Sequence, residues 1–335
     1  MRTELIKNRD NKIRLQNNKI RLENSLKIDI IFPYVDCEDP EWQKLYYENL
    51  VKYNKVDQNW DDWATGMKRF RPNGMLKYVF RSIEKNCSWI NKVHMIVQSE
   101  SQIPEWINRE QINIVYHKDF IPEEYLPTFN SSVIEMFLQN IEDLSEYFIY
   151  GNDDMFFTSP INVNDFFVIK KASLYQNKYH IKKLAFGAVL RKINSNWTGD
   201  ILRESNHKLL TRGSRKYIYA IQHTYLPHKK STIKNVFERY KTEIINNLTP
   251  FRNPNEHNQW LFSEYYIRNN MHTNNKLKFF STEINSNTIS RILNKDFSKY
   301  KAICLNDHAN TTNEQIEQVI SKLDELFPEK SKYEL

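Results

Sequence analysis

Ile28-Asp29-Ile30-Ile31-Phe32-Pro33-Tyr34-Val35 runs into Asp36, and Phe148-Ile149-Tyr150-Gly151 runs into Asn152-Asp153-Asp154. The first stretch is apolar and β-branched, bounded by Asp36 and Pro40, and reads as a buried strand. The second is a short strand that delivers acids at its carboxyl end. Val93–Val97, 112–116 and 301–305 read as further strands. Helical spacing occupies 41–53, 74–89 (with Leu76, Val79, Phe80 and Ile83 on its buried face), 131–141, 232–247, 256–269 and 313–327. Ser131 reads as the cap of the third of these helices, with Val133, Ile134, Phe137, Leu138 and Ile141 as its apolar face. Strands alternating with helices predict an α/β, Rossmann-like fold: a mainly parallel sheet with helices on both faces. The segment 168–219 is less regular and reads as an insertion between 28–160 and 220–335.

Composition agrees with a folded enzyme. The 335 residues are 40% hydrophobic and 13% aromatic, enough for a sizeable core. Cys37, Cys87 and Cys304 are too few and too far apart for a disulfide framework or a zinc site. No apolar run approaches the roughly 18–20 residues that span a bilayer, and the basic N-terminus never gives way to the apolar core of a signal peptide. The expectation is a cytoplasmic protein with at most peripheral membrane contact.

The formal charge is +7. Residues 1–27 carry eight basic groups against Glu4, Asp10 and Glu23, a net of +5, so this arm holds most of the excess. It contains the doublet Asn11-Lys-Ile-Arg-Leu-Gln-Asn17 and Asn18-Lys-Ile-Arg-Leu-Glu-Asn24. Such an arm suits solvent or an anionic membrane surface; nucleic-acid binding calls instead for a basic stripe on the folded domain.

Chemistry is expected where strands end, because open α/β sheets bind ligands at their carboxyl ends. Three strands end in acids: Asp36, Asn152-Asp153-Asp154, and Asn306-Asp307. Read as lying on one sheet, they form a set able to hold a divalent ion against a diphosphate. A basic cluster, Lys68-Arg69-Phe70-Arg71 with Asn73, precedes a helix and suits phosphate. A third group is His223-Thr-Tyr-Leu-Pro-His228, followed by Arg252 and Glu256-His257. A histidine there could take a proton from an attacking hydroxyl.

These residues resemble a known family. Ile28–Pro40 is similar to the first conserved region of Stealth proteins. The second region is followed by Arg69-Phe-Arg-Pro-Asn-Gly-Met-Leu-Lys-Tyr78, Ile103-Pro-Glu-Trp106, His117-Lys-Asp119, Leu126-Pro-Thr-Phe-Asn130, Ile134-Glu135 and Leu144–Phe157. His223–His228 with Arg252 and Gln259 resembles the third, and Cys304-Leu-Asn-Asp307 the fourth. The family includes bacterial capsule and cell-wall polysaccharide phosphotransferases and the animal enzyme that tags lysosomal glycoproteins with GlcNAc-1-phosphate. Tyr34, Cys37 and Gly151 depart from its commoner residues, and the His223–His228 spacing is looser.

The resemblance implies catalytic roles for Glu135, Asp154, His223 and Arg252. It implies substrate contacts from Asp36, Arg69, Arg71, Asn73, Asn152, His228, Asn306 and Asp307. Mg²⁺ or Mn²⁺ is expected at Asp153 and Asp154. The expected reaction moves a hexose- or N-acetylhexosamine-1-phosphate from a UDP-sugar to a hydroxyl of a lipid-linked glycan, releasing UMP. The alternatives are a metal-dependent glycosyltransferase that releases UDP, and a peripheral membrane or nucleic-acid binding module.

Overall fold

A computed structural model describes residues 26–54, 66–170, 174–179, 181–184, 198–212, 218–274, 277–307 and 310–335. The basic arm, apart from Leu26 and Lys27, therefore lies outside the described residues, as do the side chains of Lys68 and Arg69.

The central sheet is built from β1 (Ile28–Pro33), β2 (Val93–Val97), β3 (Asn113–Tyr116) and β4 (Tyr147–Tyr150). β4 pairs in parallel with β1, β1 with β2, and β2 with β3, giving the spatial order 4-1-2-3. The chain thus leaves β1 toward one side and returns as β4 on the other, which makes the β1/β4 carboxyl ends the topological switch point. The fold is α/β and Rossmann-like. Alternation along β1 sends Ile28, Ile30 and Phe32 to one face and Ile31 to the other. Both faces are covered, as parallel sheets require. On the first lie helix α2 (Leu76–Asn86) and the C-terminal helix; on the second lie α3 (Ser131–Met136) and helices from the later part of the chain. All four apolar residues expected on α2 are buried. Asp29, inside the apolar run, is satisfied at the far end of the sheet by His94, Asn91 and the N–H of Ser145.

Helix α1 (Pro40–Lys52) is started by Pro40 at its first turn and by Asp39, which accepts from the N–H of Glu41 at 3.0 Å. Its Trp42 and Tyr46 pack with Phe70, Phe129 and Phe251 in an aromatic cluster beside the switch point. The cap of α3 is Asn130 rather than Ser131: its side chain accepts from the N–H of Ser132 at 3.0 Å. Helix α3 also stops at Met136 and continues as a 3-10 turn over Leu138–Asn140, although the apolar periodicity runs on to Ile141.

Of the three acid-ended strands, β1 and β4 share the central sheet, whereas the strand that ends in Asn306-Asp307 lies in a different one. β5 (Met155–Phe157) begins directly after Asp154 and belongs to a separate three-stranded sheet. The segment 168–219 holds β6 (Phe167–Lys170), β7 (Leu174–Tyr179), β8 (Ile181–Leu184), helix α4 (Thr198–Thr211) and the start of β9 (Ile218–Ile221). β10 (Leu226–Lys229) then adds to the central sheet, antiparallel to β4. Next come helices α5 (Lys230–Arg239) and α6 (Trp260–Arg268), strand β11 (His272–Asn274) paired to β7, and β12 (Phe279–Glu283). β13 (Ala302–Asn306) lies between β12 and β5, and helix α7 (Asn313–Leu326) closes the chain. The N–H of Leu305 donates to the carbonyl of Asp154 at 3.0 Å, so the end of β13 meets the turn after β4 across the sheet boundary. Among the described residues no helix is long and apolar enough to cross a membrane.

Candidate active site

A cavity of about 590 Å³ opens at the switch point. It is lined by residues that follow β1 and β4, by Trp42, Phe70 and Phe129 of the aromatic cluster, and by Gly199 and Leu202 of α4 and Trp260 of α6. The segment read as an insertion is thus part of the site wall.

Asp153 and Asp154 both line this cavity. Asp154 is only 8% exposed, and Asn306 Nδ2 donates to its Oδ2 at 2.6 Å. Its Oδ1 is buried with no hydrogen-bond partner among the described residues. Burial, with the charge of Asp307 adding, pushes the Asp154 carboxyl up to about 6. Burial and the neighbouring Asp154 push Asp153 up to about 7. A carboxylate pair that resists ionisation, one oxygen of it unsatisfied, suits a divalent cation. His223 and Cys304 join Asp154 in a group whose ligand atoms lie within 4.8 Å of one another.

His223 follows β9 and lines the cavity. Its Nε2 lies 3.2 Å from the side-chain amide of Asn152. Burial, helped by the positive charges of Arg252 and Arg203, lowers its pKa to about 4, so it is neutral at pH 7. Arg252 Nη2 donates to Ser131 Oγ at 2.8 Å, while its Nε is buried without a partner among the described residues. Glu135 is buried on α3, where burial raises its pKa to about 7. Both its oxygens are engaged: Tyr150 O–H donates to one at 3.2 Å, and the N–H of Gln259 to the other at 2.8 Å.

The remaining candidates fall into two groups. Arg71, Asn73, Asn152, Asn306 and Asp307 line the cavity. Arg71 is held by Asp307 through two hydrogen bonds, that from Nη2 being 2.6 Å, so its charge is already matched. Asp36 and His228 do not line the cavity. Asp36 Oδ1 accepts from the N–H of Glu38 at 2.8 Å and shapes the turn after β1. His228 is fully buried on β10 among Phe148, Phe262 and Tyr266, and its Nε2 lies 3.3 Å from Oε1 of Gln259. It backs Gln259, which does face the cavity.

Gln98, His117 and Gln259 also line the cavity, although the sequence alone assigned them no role. Gln98 and His117 each directly follow a strand, so the carboxyl-end rule that found the acids also covered them. Gln259 caps the start of α6; the resemblance of the third region had marked it, and its N–H bond to Glu135 gives it a place in the site.

The sequence model of the Stealth protein conserved region 2 matches residues 69–175. Over 349 residues the chain is 30% identical to the capsular polysaccharide phosphotransferase WcwK of Streptococcus pneumoniae, covering 93% of this chain and 99% of that protein. It is 29% identical to the receptor polysaccharide phosphotransferase WefC of Streptococcus gordonii, covering 92% and 99%. It is 34% identical to the capsular polysaccharide phosphotransferase fcs1 of Haemophilus influenzae over 70% of this chain and 63% of that one. With acids and a free arginine N–H on one Rossmann-like cavity, these likenesses define an enzyme of the phosphotransferase class. The chain belongs to the Stealth family.

Proposed function

We propose that this phosphotransferase moves a hexose- or N-acetylhexosamine-1-phosphate from a UDP-sugar to a hydroxyl of a growing, lipid-linked surface polysaccharide. The observation that carries this is a pair of unsatisfied groups of opposite sign on one cavity, Arg252 Nε and Asp154 Oδ1. A diphosphate accompanied by a divalent cation complements both. The named relatives are phosphotransferases for capsular or receptor polysaccharides, which supports a polysaccharide acceptor.

In this reading the acceptor oxygen forms a bond to the phosphorus that bears the sugar. The bond from that phosphorus to the oxygen bridging the two phosphates breaks, and UMP leaves. The anomeric C–O bond stays intact. His223, neutral at pH 7, takes the hydroxyl proton, and the Asn152 side-chain amide 3.2 Å from its Nε2 orients the ring. Arg252 donates to the phosphoryl oxygens as charge develops on them. Glu135, with both oxygens occupied, orients Gln259 and balances the arginine. Arg71 fixes Asp307 beside the acids. Asp153 and Asp154 would hold Mg²⁺ or Mn²⁺, whose chemistry is to neutralise the diphosphate. The enzyme is read as acting at the cytoplasmic face of the membrane, with the basic residues before Ile28 providing peripheral contact.

Identification of the nucleotide released from UDP-sugars in the presence of a lipid-linked acceptor tests the reaction. UMP in step with phosphodiester formation is expected. Stoichiometric UDP would replace this reading with that of a glycosyltransferase.

A further inference from the structure

Two polar atoms of the cavity have no part in the chemistry above. Oε1 of Gln98 and Nδ1 of His117 are buried without hydrogen-bond partners among the described residues, and both side chains line the cavity. His117 is 6% exposed. Buried polar atoms are nearly always paired, so two exceptions in one cavity mark a place where a ligand completes them. They are also neighbours: Val97 and Tyr116 are register partners on β2 and β3, and Gln98 and His117 are the next residues along. Burial lowers the His117 pKa to about 4, which keeps the ring neutral, with one nitrogen donating and one accepting.

Their place on the sheet says which part of a ligand they meet. The acids lie after β4, and the sheet order is 4-1-2-3. At about 4.8 Å per strand, β2 and β3 lie roughly 10 and 14 Å from β4. A nucleotide with its phosphates at β4 and its sugar across β1 reaches those two strand ends with its base.

We propose that Gln98 and His117 form the base-recognition subsite and read the imide edge of a uracil-type base. Gln98 Oε1 accepts the ring N–H, and His117 Nδ1–H donates to an adjacent ring carbonyl. This deepens the nucleotide-donor reading and rests on it. Cytosine, which carries no hydrogen at that ring nitrogen, leaves Gln98 Oε1 unpaired.

Calorimetric titration of the full chain with UMP, CMP and ribose 5-phosphate tests the subsite in the presence of Mg²⁺. UMP is expected to bind at least about tenfold more tightly than either of the others. Gln98→Met and His117→Phe are each expected to weaken UMP about tenfold and leave ribose 5-phosphate unchanged. If UMP and ribose 5-phosphate bind wild type equally, the subsite is wrong while the phosphate site stands. Equal binding of CMP and UMP overturns the imide assignment. Unchanged UMP affinity in the variants, or an equal loss for ribose 5-phosphate, overturns the role of the two residues. Binding of none of the three removes the nucleotide-donor reading and this inference with it. Gln98 is only half-buried, so Gln98→Met decides the matter if His117→Phe does not fold.

Discussion

The ring of Tyr225 lies against the α-carbon of Gly151: a β-carbon at 151 would stand 2.4 Å from Cε1 and 2.6 Å from Cδ1 of that ring. The ring has nowhere to go. It stacks on Phe157 at 3.9 Å between centroids, and its O–H donates to the carbonyl of Met155 at 2.7 Å. Gly151 is therefore the residue that lets the chain turn from β4 into the acids over a fixed aromatic floor. Gly151→Ala should destabilise the protein by about 1–3 kcal/mol, the usual cost of forcing atoms into a packed interior. It should also lower turnover, since Asn152, Asp153 and Asp154 follow immediately. Denaturant midpoints of Gly151→Ala, Tyr225→Leu and the double variant check this. A double variant no better than the sum of the singles would remove the contact as the cause.

Among the described residues, Arg252 Nε is buried in the cavity without a partner, and Nη2 donates to Ser131. Arg252→Lys keeps the charge but loses the fork, and kcat is expected to fall about a hundredfold. Ser131→Ala should cost far less, because the arginine remains. Steady-state rates of the two variants, with thermal unfolding as a control on the fold, separate these effects. Near-equal losses would assign the effect to the Ser131 contact.

Asp154→Asn keeps the shape of a buried side chain and removes a charge that burial opposes. Turnover should drop at least about a hundredfold. Stability without added metal should rise at pH 8. The sign follows from the raised folded pKa: the wild-type carboxyl favours folding while protonated, and that contribution is lost as pH climbs through about 6. Thermal melts of both proteins in chelator at pH 5 and pH 8 check it; the gain should be larger at pH 8 than at pH 5, since the loss sets in above the ordinary carboxyl pKa of 3.8 and is complete only above about 6.

His228 is held neutral in the core, its pKa lowered to about 4 from 6.5. A depressed folded pKa means that the unfolded chain binds the extra proton. Stability is therefore intact above about 6.5 and lost as pH falls toward 4. Between pH 7 and 5 this amounts to about 2 kcal/mol for one histidine. Glu135 and Asp153 shift the opposite way, so the whole-protein curve mixes both trends. The difference between wild type and His228→Phe isolates the histidine, and Phe suits its aromatic surroundings. The variant should gain on wild type by about 2 kcal/mol from pH 7 to pH 5. A pH-independent difference would show that His228 is not buried neutral.

Periodicity and strand-end chemistry were legible in the sequence because they are local. The apolar run at 28–33, the strand at 93–97 and the buried face of α2 need only alternation or helical spacing to be read, and Leu76, Val79, Phe80 and Ile83 are all buried. The rule that ligands gather at carboxyl strand ends pointed to Asn152, Asp153 and Asp154, and they line the cavity. What the residues could not give was partnership over long sequence separations. Asp307 and Arg71 read as two independent substrate contacts, yet they hold each other across 236 positions. His223 and His228 sit five residues apart and are alike in type. Only the pairing of β10 with β4 sends His228 into the core while His223 stays at the cavity. Glu135 looked like an ordinary helix residue until resemblance marked it, and its bond to Gln259 spans 124 positions. A site assembled from strand ends and loops far apart in the chain is fixed by sheet order and packing, and no window of sequence contains either.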